Sequence, residues 1–147
     1  MPKEGKSVII LGAGRSATSL INYLLDVSEQ KAFTVSIGDL ETENISARFP
    51  KARAFVFNVE AEDRAMDLIK DADLIISMLP AHLHIRVAII CAELGINLLT
   101  ASYLNDDIKA LDSQFKGKNK CCIMELGLDP GLDHMSALKV LNKIKDA

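Results

Sequence analysis

The chain alternates short, almost wholly apolar runs with longer stretches in which apolar residues recur at helical spacing. "SVIIL" leads to Ala17, Leu20, Ile21 and Leu24, "FTVSIG" to a polar stretch from Glu41 to Phe49, and "AFVF" to Ala65, Leu68 and Ile69. "DLIISML" leads to Val87, Ile90, Cys91 and Leu94, "INLLTA" to Leu104, Ile108, Leu111 and Phe115, and "CCIMEL" to a last stretch from Leu132 to Ile144. Apolar runs bounded by turn residues read as strands buried on both faces, and the longer period reads as amphipathic helices. Six βα units in succession predict an α/β fold of Rossmann type. This is a doubly wound parallel sheet of about six strands, with helices on both faces and strand order 3-2-1-4-5-6.

Composition adds exclusions. The 147 residues suit one domain. They are 49% apolar and 25% charged, which is ordinary for a globular chain and rules out disordered and fibrous classes. The formal charge is −3 and the lysines are interspersed with acids, so nucleic acid is not an expected partner. The apolar run Val8 to Leu11 near the start is too short for a signal sequence or a membrane span, and a cytoplasmic, membrane-free protein is expected. Cys91, Cys121 and Cys122 are an odd set, expected to be free, buried thiols. His82 and His84 open a helical stretch, where that spacing does not share a face, so no metal site is expected.

The chemistry begins at the first turn. "LGAGRSA" puts Gly12, Gly14 and Ala17 in a G-x-G-x-x-A pattern, with Arg15 and Ser16 between, after a strand and before a helix. In such a turn Gly12 permits the tight bend, Gly14 lets backbone amides approach a pyrophosphate, and Ala17 lets the helix pack close to the sheet. Asp39 ends the second predicted strand, where a carboxylate accepts the ribose hydroxyls of NAD and repels the 2′-phosphate of NADP. NAD is therefore favoured, with NADP open because Arg15 or Arg48 could serve a phosphate. Strand C-termini share one edge, so Asn58, Met78, Leu79, Pro80, Ser102, Tyr103 and the stretch "ELGLDPGLDH" should line one crevice with the glycine loop. The carboxylates of that stretch suit a cationic substrate. Asp129 followed by Pro130 also reads as a helix N-cap with proline at the first helical position, and Asp133 would complement the helix dipole.

"GLDPGLDH", with "TASYLND" and "DLIISMLPAHLH" upstream, resembles the N-terminal part of the glutamate-forming saccharopine dehydrogenase family. The resemblance implies an oxidoreductase of lysine metabolism acting on a CH–NH group. Saccharopine, NAD(P) and water would give glutamate and aminoadipate semialdehyde. It implies cofactor binding by Gly12, Gly14, Asn58 and the Leu79–Pro80 segment, and substrate binding by Ser102, Tyr103 and Asp129. Two positions depart from the family: Ala81 stands where an aromatic is common, and Asp39 where NADP-using members carry arginine. Family members have a second α/β domain, so the chain is expected to be a cofactor domain, inactive alone and homodimeric in its full-length form. The apolar surface of the Leu132–Ile144 stretch predicts self-association. Asp133 and His134 are candidates for the general base by position alone, and the catalytic residue stays unassigned. Two alternatives remain: a carboxynorspermidine-type dehydrogenase domain, and a stand-alone NAD-binding regulatory domain like those attached to ion transporters. A short-chain dehydrogenase is excluded because Asp107, not lysine, follows Tyr103 by four positions.

Overall fold

A computed structural model describes residues 5–145. Residues 1–4 and 146–147 lie outside that range. Six strands form one sheet in the order β3-β2-β1-β4-β5-β6. They are β1 (Lys6–Leu11), β2 (Phe33–Asp39), β3 (Arg53–Val56), β4 (Leu74–Ser77), β5 (Asn97–Thr100) and β6 (Cys122–Ile123), and every pairing is parallel. The expected doubly wound order is the observed one.

Alternation along the central strands divides the core. Val8 and Ile10 of β1 and Val35 and Ile37 of β2 face α1 (Thr18–Ser28) and α2 (Glu43–Arg48), packing on Ala17, Ile21, Ile45 and Phe49. Ile9, Leu11 and Ile75 point the other way. They meet α3 (Glu62–Ile69) and α4 (His84–Leu94) through Ala65, Ile69, Val87 and Cys91. Ile10 is fully buried and in register with both Ile37 and Ile76. Ile10→Ala would cost about 2–5 kcal/mol, the range for a buried aliphatic truncated in a core that cannot collapse.

Four expectations change. The stretch from Leu104 to Phe115 forms two short helices, α5 (Asp106–Lys109) and α6 (Asp112–Gly117). Asn105 starts the first, its side chain accepting from the Ile108 N–H at 2.9 Å. The sixth strand is shorter than "CCIMEL" suggests, because Glu125 takes a left-handed φ of 63° and turns the chain. Asp129 and Pro130 do not start a helix: the peptide between them is cis, and α7 begins at Leu132 and runs to Lys145. Of the cysteines, Cys91 is buried but Cys121 is exposed, so the expectation of three buried thiols fails at the sheet edge. No described helix is long and apolar enough to cross a membrane.

Candidate functional site

The C-terminal ends of the strands bring the predicted residues to one edge of the sheet. Gly12 has φ 93°, and a Cβ there would lie 2.9 Å from the Met78 carbonyl oxygen, so glycine is needed where β1 turns past the end of β4. Gly14 is exposed, and a Cβ built on it would meet no protein atom within 4 Å. Space is thus open above the loop, as an approaching phosphate group requires. Arg15 and Ser16 are exposed beside it, and Ala17 is fully buried under α1.

Two charged side chains hold this loop through a single residue. Asp39 Oδ2 accepts from the Ala13 N–H at 2.7 Å, while Arg48 Nη1 donates to the Ala13 carbonyl at 2.9 Å. Arg48 also donates from Nη2 to Thr18 Oγ1 at 2.7 Å, and its guanidinium lies 4.8 Å from the Phe49 ring centroid. The role of Arg48 in the loop escaped sequence reasoning, because nothing in its spacing shows that α2 points its last turn back at the glycines. Asn58 sits at the crevice beyond β3, but its Oδ1 accepts from the Glu60 N–H at 2.9 Å, closing a local turn.

On the other side of the switch between β1 and β4, the acidic stretch is a closed loop. The Gly127 N–H donates to the Pro130 carbonyl at 3.0 Å and the Leu132 N–H to the Gly127 carbonyl at 3.0 Å. Gly131 has φ 144°, and a Cβ there would collide with the Gly127 backbone. The glycines on either side of "LDP" therefore let the loop fold onto itself. Its tip meets the segment after β5: Tyr103 Oη donates to Asp129 Oδ1 at 2.6 Å. Glu125 Oε1 accepts from the Leu104 N–H at 3.2 Å, and the Glu125 N–H donates to the Ser102 carbonyl at 3.1 Å. The hydrogen bond to Asp129 comes first among the causes that raise the Tyr103 pKa above its ordinary value, followed by partial burial and the charges of Asp129, Asp133 and Glu125. The phenol is thus kept protonated as a hydrogen-bond donor. Asp133 accepts from the Gly131 N–H at 2.8 Å and lies 3.5 Å from His134 Nε2. Partial burial pushes its carboxyl up, yet the His134 and Gly131 backbone amides and the His134 charge bring it below its ordinary value.

A cavity of about 390 Å³ opens beside this pair, lined by Ser102, Tyr103, Asp129, Pro130, His84 and Asn105 among others. Donors, acceptors and negative charge converge there, an arrangement that can hold a positively charged nitrogen. A larger groove, about 830 Å³, lies at the opposite edge of the sheet among Ser7, Phe33 and Arg53, and no candidate residue reaches it. Among the described residues no cluster could hold a metal ion. His84, read from the sequence only as one of a histidine pair, is buried below the cavity. The signal was its register: His84, Val87, Ala88 and Cys91 share the inward face of α4.

The saccharopine dehydrogenase NADP-binding domain family model matches residues 8–123. The mitochondrial alpha-aminoadipic semialdehyde synthase of Rattus norvegicus is 35% identical over 144 residues, 96% of this chain and 15% of that protein. The NADP(+), L-glutamate-forming saccharopine dehydrogenase of Schizosaccharomyces pombe is 28% identical over 142 residues, 96% of this chain and 31% of its relative. The apo L-Glu-forming saccharopine dehydrogenase structure from Saccharomyces cerevisiae superimposes with a TM-score of 0.84 at 27% identity, covering 97% of this chain and 32% of the other. The chain thus spans between about a seventh and a third of these relatives, and it belongs to the family of saccharopine dehydrogenase NADP-binding domains.

Proposed function

We propose that this chain is the cofactor-binding domain of an oxidoreductase that cleaves saccharopine to glutamate and aminoadipate semialdehyde. The observation that carries the reading is the placement of two half-sites on one sheet edge: the open glycine loop beyond β1, and the Tyr103–Asp129 pair beside a cavity beyond β5. Gly12, Gly14, Arg15, Ser16 and Ala17 would receive the pyrophosphate, with Asp39 and Asn58 on the adenosine side and Met78, Leu79 and Pro80 on the nicotinamide side. When bound, the nicotinamide supplies a hydride acceptor. Ser102, Tyr103 and Asp129 would bind the substrate, the carboxylate holding its amine and the phenol keeping that carboxylate oriented.

Asp39 favours NAD within this reading. Its carboxylate is half-buried at the end of β2, with Oδ2 on the loop and Oδ1 3.4 Å from the Glu41 N–H. A 2′-phosphate would meet a negative charge that the fold already uses. Arg48 is engaged by Ala13 and Thr18, which leaves Arg15 as the cation available to NADP. A cytoplasmic location and a homodimer in the full-length enzyme belong to the same proposal. The carboxynorspermidine and regulatory-domain alternatives gain no support from the relatives named above. Calorimetric titration of the chain with NADH and NADPH tests the cofactor half of the proposal. Binding of neither would overturn it.

A further inference from the structure

We infer that His84 is a positioning residue for the substrate half-site: its imidazole bridges the ends of β4 and β5 and thereby holds the Tyr103–Asp129 hydrogen bond at the crevice wall. The inference rests on the proposed function for its meaning, but not for its test.

The geometry is a buried chain of polar contacts under the cavity. His84 Nδ1 lies 2.8 Å from Ser77 Oγ, the last residue of β4, and Nε2 lies 3.2 Å from Thr100 Oγ1, the last residue of β5. Ser77, His84 and Thr100 are 1, 2 and 2% exposed, so water does not compete for these bonds. Thr100 Oγ1 also accepts from the Ser102 N–H at 3.3 Å, and the Thr100 carbonyl accepts from the Leu126 N–H at 3.3 Å. One residue beyond Ser102 stands Tyr103, and three beyond Leu126 stands Asp129. The two segments that carry the hydrogen-bonded pair are therefore both anchored on Thr100, and Thr100 is anchored on His84.

A histidine is a costly way to fill a core. Burial first, and the charge of His82 second, lower its pKa, so it is held as a neutral ring that offers one donor and one acceptor. A leucine in the same place would serve packing alone. What the ring adds is a directional tie between two strand ends: Ser77 precedes Met78–Pro80 on the nicotinamide side, and Thr100 precedes Ala101–Tyr103 on the substrate side. Small displacements of such groups cost large factors in a site that needs reacting atoms aligned.

The test reads the Tyr103 phenol directly. The chain has two tyrosines, so Tyr23→Phe leaves Tyr103 as the sole reporter. Biosynthetic 3-fluorotyrosine lowers its ionisation into a range where the fold persists, and fluorine NMR follows the titration. In this parent the midpoint should lie above that of free 3-fluorotyrosine. His84→Leu should bring it down toward the free value, while His84→Gln, whose amide can donate to one hydroxyl and accept from the other, should keep it at the parent value. Thr100→Val removes the relay with little change of shape, and should also lower the midpoint even if His84→Leu fails to fold. A midpoint that stays at the parent value in folded His84→Leu, or in Thr100→Val, overturns the inference. NADH titration of the same variants separates the two proposals: a chain that binds no dinucleotide defeats the proposed function, whereas the phenol titration still decides the role of His84.

Discussion

Asp39 and Ala13 are joined by a 2.7 Å hydrogen bond from the Ala13 amide to the Asp39 carboxylate, so the acid expected to choose the cofactor also shapes the loop that receives it. Its two roles separate under substitution. NADH should bind more tightly than NADPH. Asp39→Asn, which keeps an acceptor for Ala13, should narrow that preference without loss of stability. Asp39→Arg should shift the balance further toward NADPH, yet cost about 1 kcal/mol in stability because the amide loses its partner. Titration calorimetry and denaturant unfolding measure the two effects.

Arg48 holds the other side of the same peptide. Arg48→Ala removes the bonds to the Ala13 carbonyl and Thr18 hydroxyl, and the loop should lose order before binding. Dinucleotide affinity should fall about tenfold, the equivalent of roughly 1.4 kcal/mol. Equal affinity in the variant would show that the loop is rigid without it.

Asp129→Asn separates charge from shape. Asparagine can still accept from Tyr103, so the melting temperature and NAD affinity should change little. In the enzyme that carries its second domain, kcat/KM for saccharopine should fall about a hundredfold, the order for losing a charge-assisted contact. Unchanged kinetics would return Asp129 to a structural role. The chain alone should turn over saccharopine negligibly in a steady-state assay.

His84 makes stability depend on pH in a predictable direction. Its pKa in the fold lies below the ordinary value of 6.5, so the unfolded chain binds the proton more readily. The stabilisation is fully present above that ordinary value. It is lost as pH falls through it toward the lowered value. Urea midpoints measured from pH 7.5 downward should decline through this window, and His84→Gln should flatten that part of the profile.

The exposed face of α7 predicts assembly. Leu132, Met135, Leu138, Val140, Leu141 and Ile144 are all more than half exposed, from 51 to 67%. Sedimentation at rising concentration should show self-association, and Leu138→Glu with Leu141→Lys should abolish it. A monomer at all concentrations would count against this.

The centre of the sheet was legible in the sequence because β1 and β4 are buried on both faces and so read as unbroken apolar runs. Crossover handedness narrowed the topologies, and the doubly wound order expected among them is the one observed. The glycine loop was legible for a related reason: backbone constraints at Gly12 and packing at Ala17 restrict residue type where they act. In the acidic stretch a helix does begin at Leu132, with Asp133 in its first turn, but the cap was misplaced at Asp129 and Pro130. Its proline and aspartate satisfy a capping pattern locally, but the loop closes through Gly127 and Gly131, and no local pattern shows that closure. His84 and Arg48 were invisible as partners because both act across the sheet edge, on residues 7 to 35 positions away, where sequence spacing carries no distance information.

None of α7's side chains is buried, yet its first turn is stitched to the acidic loop: the Leu132, Asp133 and Met135 amides donate to the Gly127, Leu128 and Gly131 carbonyls. Helix and loop are consequently one hydrogen-bonded unit, with Asp129 at one end and an uncovered apolar shaft at the other. Any surface seated on that shaft would press directly on the loop that carries Asp129.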